Sequence, residues 1–366
     1  MDTYAVTLRP KGSHLGPITA QTLFGATCWA IDTLRLTDVA ELLAGFSDRP
    51  RFVFSSAFPF IQGSKGLVRF LPQPALPPAS MEHVQKLAEK RAGRGHGVQF
   101  KGAVKNILDS DVKSVKKAGY VSEGLFAQIC AGEWSSLVLI EILGDKVDTV
   151  GATGGPLWLT DERKQSWGTI RPENSWTVVD VQRNAVDRVA GATAEGLLFH
   201  ETQTFYRRGQ AGLWFIVRAE AEVWPWLEAA FRYLADTGLG GKRTIGKGHF
   251  DFEPPVPYTL PDAPDADSFI TLSPYLPRFT GDQIEAEPRR YTLQTIRQKA
   301  ENKFPGPERM QVYSGGLRLF GEGSIFALPE KREVFGRLAS LGTVNSHPVY
   351  YNGLALPVLA KLGGGI

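Results

Sequence analysis

The chain has 366 residues, of which 43% are hydrophobic and 22% charged, with a formal net charge of +3. A chain of this length and composition can bury a large core and is expected to divide into two domains. The two cysteines, Cys28 and Cys130, lie far apart and outside any Cys/His cluster, which excludes a disulfide framework and a zinc site of common spacing. No run of about 18 apolar residues and no apolar signal core occurs, so we expect a cytoplasmic protein without a membrane segment.

The first elements of the chain alternate between strand and helix patterns. Residues 4–9 and 51–56 have strand patterns, and the apolar spacing of residues 19–33 between them predicts a helix. An apolar run follows at residues 136–143.

The stretch from residue 86 to residue 117 is strongly basic. It holds nine Lys or Arg residues against three acidic residues, a local charge of +6 that leaves −3 for the remainder of the chain. Glycines interrupt its centre at residues 92–97, so we predict a long mobile insertion over about residues 86–125, with a helical start and room for a hairpin. Two interpretations stay open for it, a solvated lysine-rich loop and a finger that lies along a polyanion.

The next elements complete a recognisable order. Residues 196–205 and 212–219 predict two strands joined into a hairpin by the turn at 207–210, and residues 224–235 predict a helix before a short strand at 244–253. Without the insertions the order is β-α-β-β-α-β, which is that of a ferredoxin-like unit and of RNA-recognition modules.

The most informative stretch, residues 238–250, is called the glycine loop below. It contains five glycines and three cationic residues: Gly238, Gly240, Gly241, Gly246, Gly248, Lys242, Arg243 and Lys247. Glycines allow left-handed backbone conformations, and exposed N–H groups beside cations favour phosphate binding. The alternative interpretation is a helix C-cap followed by a tight turn. It explains only Gly238 and one further glycine.

A nucleotide-binding P-loop is excluded at this position. Residues 241–247 match Gly-x-x-x-x-Gly-Lys, but Gly248 stands where a magnesium-binding hydroxyl is needed. The predicted loop also follows a helix and precedes a strand, which is the reverse of the P-loop order.

A proline-rich segment at residues 255–267 predicts a domain boundary. Beyond it, residues 268–366 contain several short strand patterns and a second glycine cluster, which predict a second, β-rich domain after a first domain at residues 1–254. Tandem modules indicate an extended ligand.

Several local sequences occur together in an order that resembles one protein family. They are Gly-Pro-Ile-Thr-Ala-Gln-Thr-Leu-Phe-Gly-Ala at 16–26, Ser-Ser-Ala-Phe-Pro-Phe at 55–60 with Leu-Pro-Gln-Pro at 71–74, Arg-Asn-Ala-Val-Asp-Arg at 183–188, Gly-Leu-Leu-Phe at 196–199, Gly-Gly-Lys-Arg-x-x-Gly-x-Gly at 240–248 and His-Pro-Val-Tyr-Tyr-Asn-Gly-Leu-Ala at 347–355. The ordered set resembles the RAMP-superfamily subunit that caps the crRNA 5′ end in type III-A CRISPR effector (Csm) complexes. The equivalent subunit of type III-B Cmr complexes is the alternative within the superfamily.

The resemblance implies an α+β fold with two tandem ferredoxin-like domains, at residues 1–254 and 268–366. It implies a crRNA-binding subunit that holds the repeat-derived 5′ handle, contacts the large polymerase-like subunit and the backbone RAMP subunit, and meets target RNA only indirectly. It further implies a β-hairpin thumb that separates the handle from the guide, for which the basic insertion at 92–125 is the candidate. No cofactor and no metal are implied.

The resemblance also supplies candidate RNA contacts. In the glycine loop they are Gly240, Gly241, Lys242, Arg243, Gly246, Lys247 and Gly248, whose N–H groups and cations suit phosphates. Arg183 and Arg188 match the family's Arg-x-x-x-Asp-Arg stretch, with pairing of Arg188 to an acid as the alternative. Phe58 and Phe60 are interpreted either as base-stacking platforms or as core residues.

His14 is the last candidate RNA contact, and it also raises the question of catalysis because it lies just before the first helix. Related RAMP proteins that mature crRNA are endoribonucleases with a histidine acid or base, and this chemistry needs a tyrosine and a lysine to converge on it. The sequence does not show that convergence, so we predict a protein that is not an enzyme, with RNA cleavage and sequence-independent single-strand binding as alternatives. Asp109 and Asp111 lack a supporting carboxylate or histidine cluster and are interpreted as capping or solvated residues rather than as a metal site.

Overall fold

The computed structural model describes residues 1–92, 98–150, 155–166, 175–187, 189, 191–296, 316–344 and 347–362. Strands and helices are mixed along the first two thirds of the chain, which confirms the α+β fold class. Among the described helices, none is long and apolar enough to cross a membrane.

The strands range from two to fifteen residues. In chain order they are β1 (Asp2–Pro10), β2 (His14–Leu15), β3 (Phe52–Phe54), β4 (Phe58–Gly63), β5 (Gly66–Pro72), β6 (Tyr120–Ser122), β7 (Val147–Thr149), β8 (Leu157–Leu159), β9 (Trp176–Asp187), β10 (Ala192–Tyr206), β11 (Ala211–Ala219), β12 (Phe250–Phe252), β13 (Val256–Pro257), β14 (Ser268–Thr271), β15 (Phe279–Thr280), β16 (Gln283–Ile284), β17 (Pro288–Arg290), β18 (Leu293–Ile296), β19 (Leu317–Phe320), β20 (Ile325–Ala327), β21 (Phe335–Val344), β22 (His347–Ala355) and β23 (Pro357–Ala360).

The described helices all precede residue 238. They are α1 (Ala20–Thr33), α2 (Val39–Leu43), α3 (Met81–Ala92), α4 (Val98–Asn106), α5 (Lys113–Lys117), α6 (Glu123–Cys130), α7 (Ser136–Glu141), α8 (Thr160–Ser166) and α9 (Trp224–Thr237). A π-helical turn at Ile107–Val112 joins α4 to α5, and short 3-10 turns lie at Ala221–Val223 and Arg243–Ile245.

The N-terminal half is organised around four antiparallel strands in the order β12-β1-β11-β3. In chain order these elements are β1, α1, β3, β11, α9 and β12, which is a β-α-β-β-α-β unit. Its two helices, α1 and α9, pack against each other. Local sequence explains both helices. The Thr19 hydroxyl caps the N-terminus of α1, while α9 has a proline in its first turn and ends at Gly238 with φ of 85°.

The central sheet continues beyond this unit. Strand β4 pairs with β11 beside β3, and β5, β6, β8 and β7 follow in that order, with β6 and β8 parallel and the other pairs antiparallel. Helix α9 and the β12 end of the sheet position the glycine loop, while the chain leaves β5 at the other side for α3.

Strands β9 and β10 form a long antiparallel pair, called the ribbon below. Its pairing extends from Trp176 opposite Tyr206 to Asp187 opposite Ala192, and β2 joins it at His14. The predicted hairpin between residues 196–205 and 212–219 is therefore wrong, because within the described residues β10 pairs with β9 and β2, and β11 pairs with β1, β3 and β4. The turn at 207–210 is present, but it carries the chain from the ribbon into the central sheet.

The basic insertion is helical and packed in its described part, so the prediction of a mobile, weakly packed segment is wrong. Its inner face is buried at Leu87, Ala88, Ile107, Val115 and Ala118. The Gln73 side chain also donates to the Val115 carbonyl at 2.9 Å. The lysine-rich composition did not predict this packing, because the cations lie on the outer side of two amphipathic helices whose inner sides are apolar.

The proline-rich segment lies against the first unit. Strand β13 pairs with β1, and the Tyr258 N–H donates to the Thr3 carbonyl at 2.9 Å. Beyond it, β17-β20-β14-β23 form a sheet, β21 pairs with β22, and the described residues from 268 onward contain no helix. The tandem ferredoxin-like arrangement and the boundaries at 254 and 268 stay predictions.

The core crosses the proposed boundary. A single buried cluster contains Leu125 and Phe126 of α6 together with Val358 and Ala360 of β23. The Lys361 N–H donates to the Cys130 carbonyl at 2.8 Å, which continues this contact. The C-terminal strand thus completes the hydrophobic packing of an N-terminal helix.

Candidate nucleic-acid interface

The glycine loop is closed by its own backbone. The Leu239 N–H donates to the Gly248 carbonyl at 2.7 Å, and the Gly248 N–H donates to the Ser13 carbonyl at 2.9 Å. A Cβ atom at Gly248, where φ is 69°, would lie 1.9 Å from the Leu239 carbonyl oxygen. Only glycine fits this crossing point.

The tip of the loop presents backbone donors outward. Gly240, Gly241 and Lys242 are exposed, and no described backbone carbonyl accepts from their N–H groups. Gly240 has φ of 79° and Lys242 has φ of 58°, so two left-handed residues flank Gly241. Successive N–H groups in such turns form concave anion-binding surfaces.

The loop packs on the ribbon through its lysines. The Lys242 ammonium forms an ion pair with Glu201 and lies 4.8 Å from the centre of the Phe199 ring. The Lys247 ammonium donates to Ser13 Oγ at 2.7 Å and to Gln203 Oε1 at 2.8 Å. The ribbon therefore fixes both side chains beside the exposed N–H groups.

The residues that receive the loop alternate along β10. Phe199, Glu201, Gln203 and Phe205 share one face of the strand, since side chains two apart point to the same side. Glu201 and Gln203 are buried beneath the lysines, whereas Phe199 and Phe205 each keep 42% of their surface exposed. The sequence analysis did not select Phe199 or Phe205 as an RNA contact. The alternation of residues 199–205 nevertheless predicts that these two rings lie on one face of a strand.

The local charge is positive. Glu201, which is 8% exposed, lies 3.6 Å from Arg183 Nε and also pairs with Lys242, so one carboxylate serves two cations. Lys247 is held by the neutral oxygens of Ser13 and Gln203. Three cations around one carboxylate leave an excess positive charge at the surface where the N–H groups point.

The structure brings most of the predicted site residues together. The seven glycine-loop candidates lie in one loop, and Arg183 reaches it through Glu201. Arg188 lies outside the described residues. Phe58 and Phe60, at 2% and 0% exposure, belong to the core, so of their two interpretations the core one is correct and base stacking is wrong. Phe58 packs edge-on against Trp214 because β4 lies inside the covered sheet.

His14 is buried rather than RNA-facing, which corrects its place among the contacts. Its Nδ1 donates to the Gly16 carbonyl at 2.8 Å, and Nε2 accepts from the Tyr206 hydroxyl at 3.0 Å. Burial lowers the pKa of His14, partly offset by the Gly16 hydrogen bond, and burial raises the pKa of Tyr206. His14 is thus a neutral link between the start of the chain and the base of the ribbon.

The acidic pair in the insertion is engaged in ion pairs. Asp109 accepts from Lys113 at 2.7 Å, and Asp111 accepts from Arg91 at 2.6 Å. Among the described residues there is no cluster of three or more His, Cys, Asp or Glu side chains suited to a metal ion.

The chain is similar in sequence to a curated protein of Thermococcus onnurineus (strain NA1) named "CRISPR system Cms protein Csm4". The two are 30% identical over 199 residues, which make up 54% of this chain and 60% of the relative. The match thus spans three fifths of the relative's length. No protein-family model matches the chain.

Solved structures extend the similarity of fold along the chain. A chain in the crystal structure of a Csm3-Csm4 subcomplex of the type III-A interference complex has a TM-score of 0.62 at 15% identity, covering 98% of this chain and 99% of its own. A chain in a Csm1-Csm4 cassette crystallised with pppApA has a TM-score of 0.55 at 22% identity, covering 99% and 100%. The resemblance predicted from the ordered motifs is confirmed in sequence by the Csm4 match and in fold by these structures.

Proposed function

We propose that this chain, which resembles Csm4 of type III-A CRISPR systems in sequence and fold, is a non-catalytic subunit that holds the 5′ handle of the crRNA. The observation that carries the proposal is the glycine loop. It presents the N–H groups of Gly240, Gly241 and Lys242 beside the cations of the loop and Arg183.

The chemistry of the loop and ribbon suits a single RNA strand. Backbone N–H groups and cations bind phosphate oxygens and so position a strand without reading its sequence. Half-exposed Phe199 and Phe205 offer rings on which splayed bases stack, next to the phosphate contacts. We therefore assign the role of base platform to these two residues in place of Phe58 and Phe60.

We also propose that the ribbon, rather than the basic insertion, is the thumb between handle and guide. It is a long two-stranded element whose side chains are exposed on both faces, at Val178 and Leu198 on one face and at Val179 and Phe199 on the other. The described part of the insertion is helical and packed, so it does not suit a hairpin role.

The proposed partners follow from the relatives. The similar solved chains come from assemblies that contain Csm1 or Csm3. We propose that this chain bridges the large polymerase-like subunit and the first backbone subunit in the same way, and that target RNA meets it only through the assembled complex.

RNA cleavage is the second candidate, because Tyr206 lies 3.0 Å from His14 and Lys247 contacts the neighbouring Ser13. Burial argues against it. Both imidazole nitrogens of His14 are occupied, its lowered pKa disfavours the protonated acid, and the raised pKa of Tyr206 disfavours a phenolate base. Cleavage of a repeat-containing RNA by the purified chain, abolished by His14→Ala, would replace the binding proposal.

The proposal is tested by purifying the chain with its partners and sequencing the bound RNA. We expect short RNAs that share one 5′ end. In the variant Lys242→Gln with Arg243→Gln, RNA retention should weaken, and the slope of log affinity against log salt should fall by about 0.7 for each lost phosphate contact. Glutamine is preferred to glutamate here, since a new carboxylate at position 242 would face Glu201.

The matched control is Lys146→Gln with Lys331→Gln, which removes the same charge from exposed positions outside the loop. It should leave the salt slope unchanged. An equal effect of both double variants would show a general charge effect and contradict the assignment of the loop.

The base-platform role has its own comparison. Phe199→Ala should weaken handle binding by roughly 1–3 kcal/mol, the usual loss of one stacked base. Leu198→Ala removes an apolar side chain of similar exposure from the opposite face of the same strand and should leave binding unchanged. Equal losses would indicate a contribution of the ribbon as a whole rather than stacking on Phe199.

A further inference from the structure

The outer side of the helical insertion carries a continuous basic surface, called the lysine face below. It belongs to the nearly uninterrupted helix formed by α4, the π turn and α5. Its exposed residues are Gln99, Lys101, Gly102, Lys105, Asn106, Asp109, Ser110, Lys113, Lys116 and Lys117. Five lysines face solvent with one carboxylate among them.

The lysine face is rigidly mounted. On the opposite side of the same helix, Ile107 and Val115 are buried in the main core, and Asp111 pairs with Arg91 of α3 at 2.6 Å. The π turn adds a residue to the helix between the two groups of lysines, and such turns are frequent at functional sites.

The charges on the lysine face are mostly uncompensated. Lys113 pairs with Asp109, but Lys101, Lys105, Lys116 and Lys117 make no salt bridge within the described part of the chain. The neighbouring helix α3 differs, because its Lys86 and Lys90 pair with Glu82 and Glu141.

Gly102 is a second, independent observation. It occupies a helix interior, where glycine costs about 1 kcal/mol relative to alanine. Nothing lies within 4 Å of the position its Cβ would take, so packing does not require glycine there. Its place between Lys101 and Lys105 leaves room for a ligand backbone to approach the helix closely.

The lysine face is separate from the glycine loop. The loop adjoins β12, and the insertion continues from β5, four strand positions away in the order β12-β1-β11-β4-β5. Adjacent strands lie about 4.8 Å apart, so these two strands are separated by roughly 19 Å across the sheet.

We propose that the lysine face binds the phosphate backbone of a single-stranded RNA segment, without reading its sequence and independently of the glycine loop. The surface offers flexible ammonium groups, the amides of Gln99 and Asn106, and the hydroxyl of Ser110, which are donors for phosphate and ribose oxygens. An acidic protein fits less well, because the cores of protein interfaces are depleted in lysine and depend on buried aromatic or arginine anchors.

The test compares the whole chain with the variant Lys101→Gln, Lys105→Gln, Lys116→Gln and Lys117→Gln. The probe is a labelled single-stranded RNA of mixed sequence, titrated over a series of salt concentrations. Four lost contacts should reduce the slope of log affinity against log salt by about 3, at about 0.7 each. The preference for a handle-bearing RNA over the mixed sequence should stay the same, so failure of the handle proposal is visible separately.

The control variant removes four other exposed lysines, Lys146, Lys164, Lys331 and Lys361, and should leave the salt slope near that of the unchanged chain. RNA cross-linking should recover the peptide over residues 98–117 from the unchanged chain and lose it in the lysine-face variant. An unaltered slope, an equal loss in the control, or cross-links that spare this peptide would overturn the proposal, as would capture of an acidic subunit there in place of RNA.

Discussion

Gly248 and Gly246 form a natural pair of test positions in the glycine loop. Both have positive φ, at 69° and 81°, but only Gly248 has a neighbour in the path of a Cβ, the Leu239 carbonyl oxygen. Gly246→Ala should therefore cost only the left-handed strain of roughly 1–2 kcal/mol. Gly248→Ala should cost clearly more, because the loop must open. Urea unfolding of both variants measures the difference, and equal costs would show that the crossing point is not rigid.

His14 predicts a pH dependence of stability. Its pKa is lowered in the folded chain by burial, so the unfolded chain binds more protons as the pH falls below the ordinary histidine value of about 6.5. The contribution of His14 is complete above that pH and is lost as the pH falls toward the lowered value. Unfolding free energies at about pH 7.5 and about pH 5.5 should differ less in His14→Gln than in the unchanged chain.

The exposed His83 provides the control for this experiment. His83→Gln removes a histidine without touching the contact between His14 and Tyr206, so the difference between the two pH values should be that of the unchanged chain. A reduced difference in this control would assign the pH dependence to something other than His14.

Some of the residues in the candidate site could be predicted from the sequence and others could not. The loop glycines and lysines were identified because their residue types are unusual together. Phe58 and Phe60 stayed open between base stacking and the core because exposure depends on which sheet face is covered, and β11, which pairs with β4, is distant in sequence. The alternation at residues 199–205 identifies a strand face, but not that the glycine loop packs there.

At the scale of elements, the insertion shows how charge hides a packed helix. Residues 98–117 place apolar side chains inward at helical spacing and lysines outward, so the net charge describes only the outer face. Deletion of residues 92–118 should therefore unfold part of the core rather than leave two intact domains.

The hairpin between residues 196–205 and 212–219 was predicted wrongly because strand patterns do not specify which strands pair. In the structure β10 pairs with β9.

Two valines on the insertion measure this packing directly. Val115, at 3% exposure, belongs to the main core, whereas Val98 is 88% exposed. Val115→Ala should destabilise the chain by about 2 kcal/mol, because it leaves a cavity in addition to the lost transfer energy. Val98→Ala should stay within about 0.5 kcal/mol of the unchanged chain. Thermal unfolding of both variants measures these changes. An unchanged stability of Val115→Ala would support a loosely attached insertion instead.

At the scale of the whole molecule, the predicted boundary after residue 254 divides a shared core. The fragment 1–254 lacks β23, whose Val358 and Ala360 pack in the cluster that contains Phe126. We expect this fragment to be poorly soluble and to bind a dye specific for exposed apolar surface. Co-expression of residues 255–366 should restore solubility. A soluble, cooperatively unfolding fragment would instead support two independent domains.

The contact between α6 and β23 also sets an order of events during protein synthesis. The ribosome adds about 5–20 residues per second, so roughly five to twenty seconds separate the emergence of the first unit from that of its last core strand. During that interval the apolar side of α6 has no strand to cover it, which makes the nascent chain a client for chaperones. Final assembly is then timed by the synthesis of β23, and any mutation that slows docking of this strand should lower the yield of folded protein before it lowers the stability of the finished molecule.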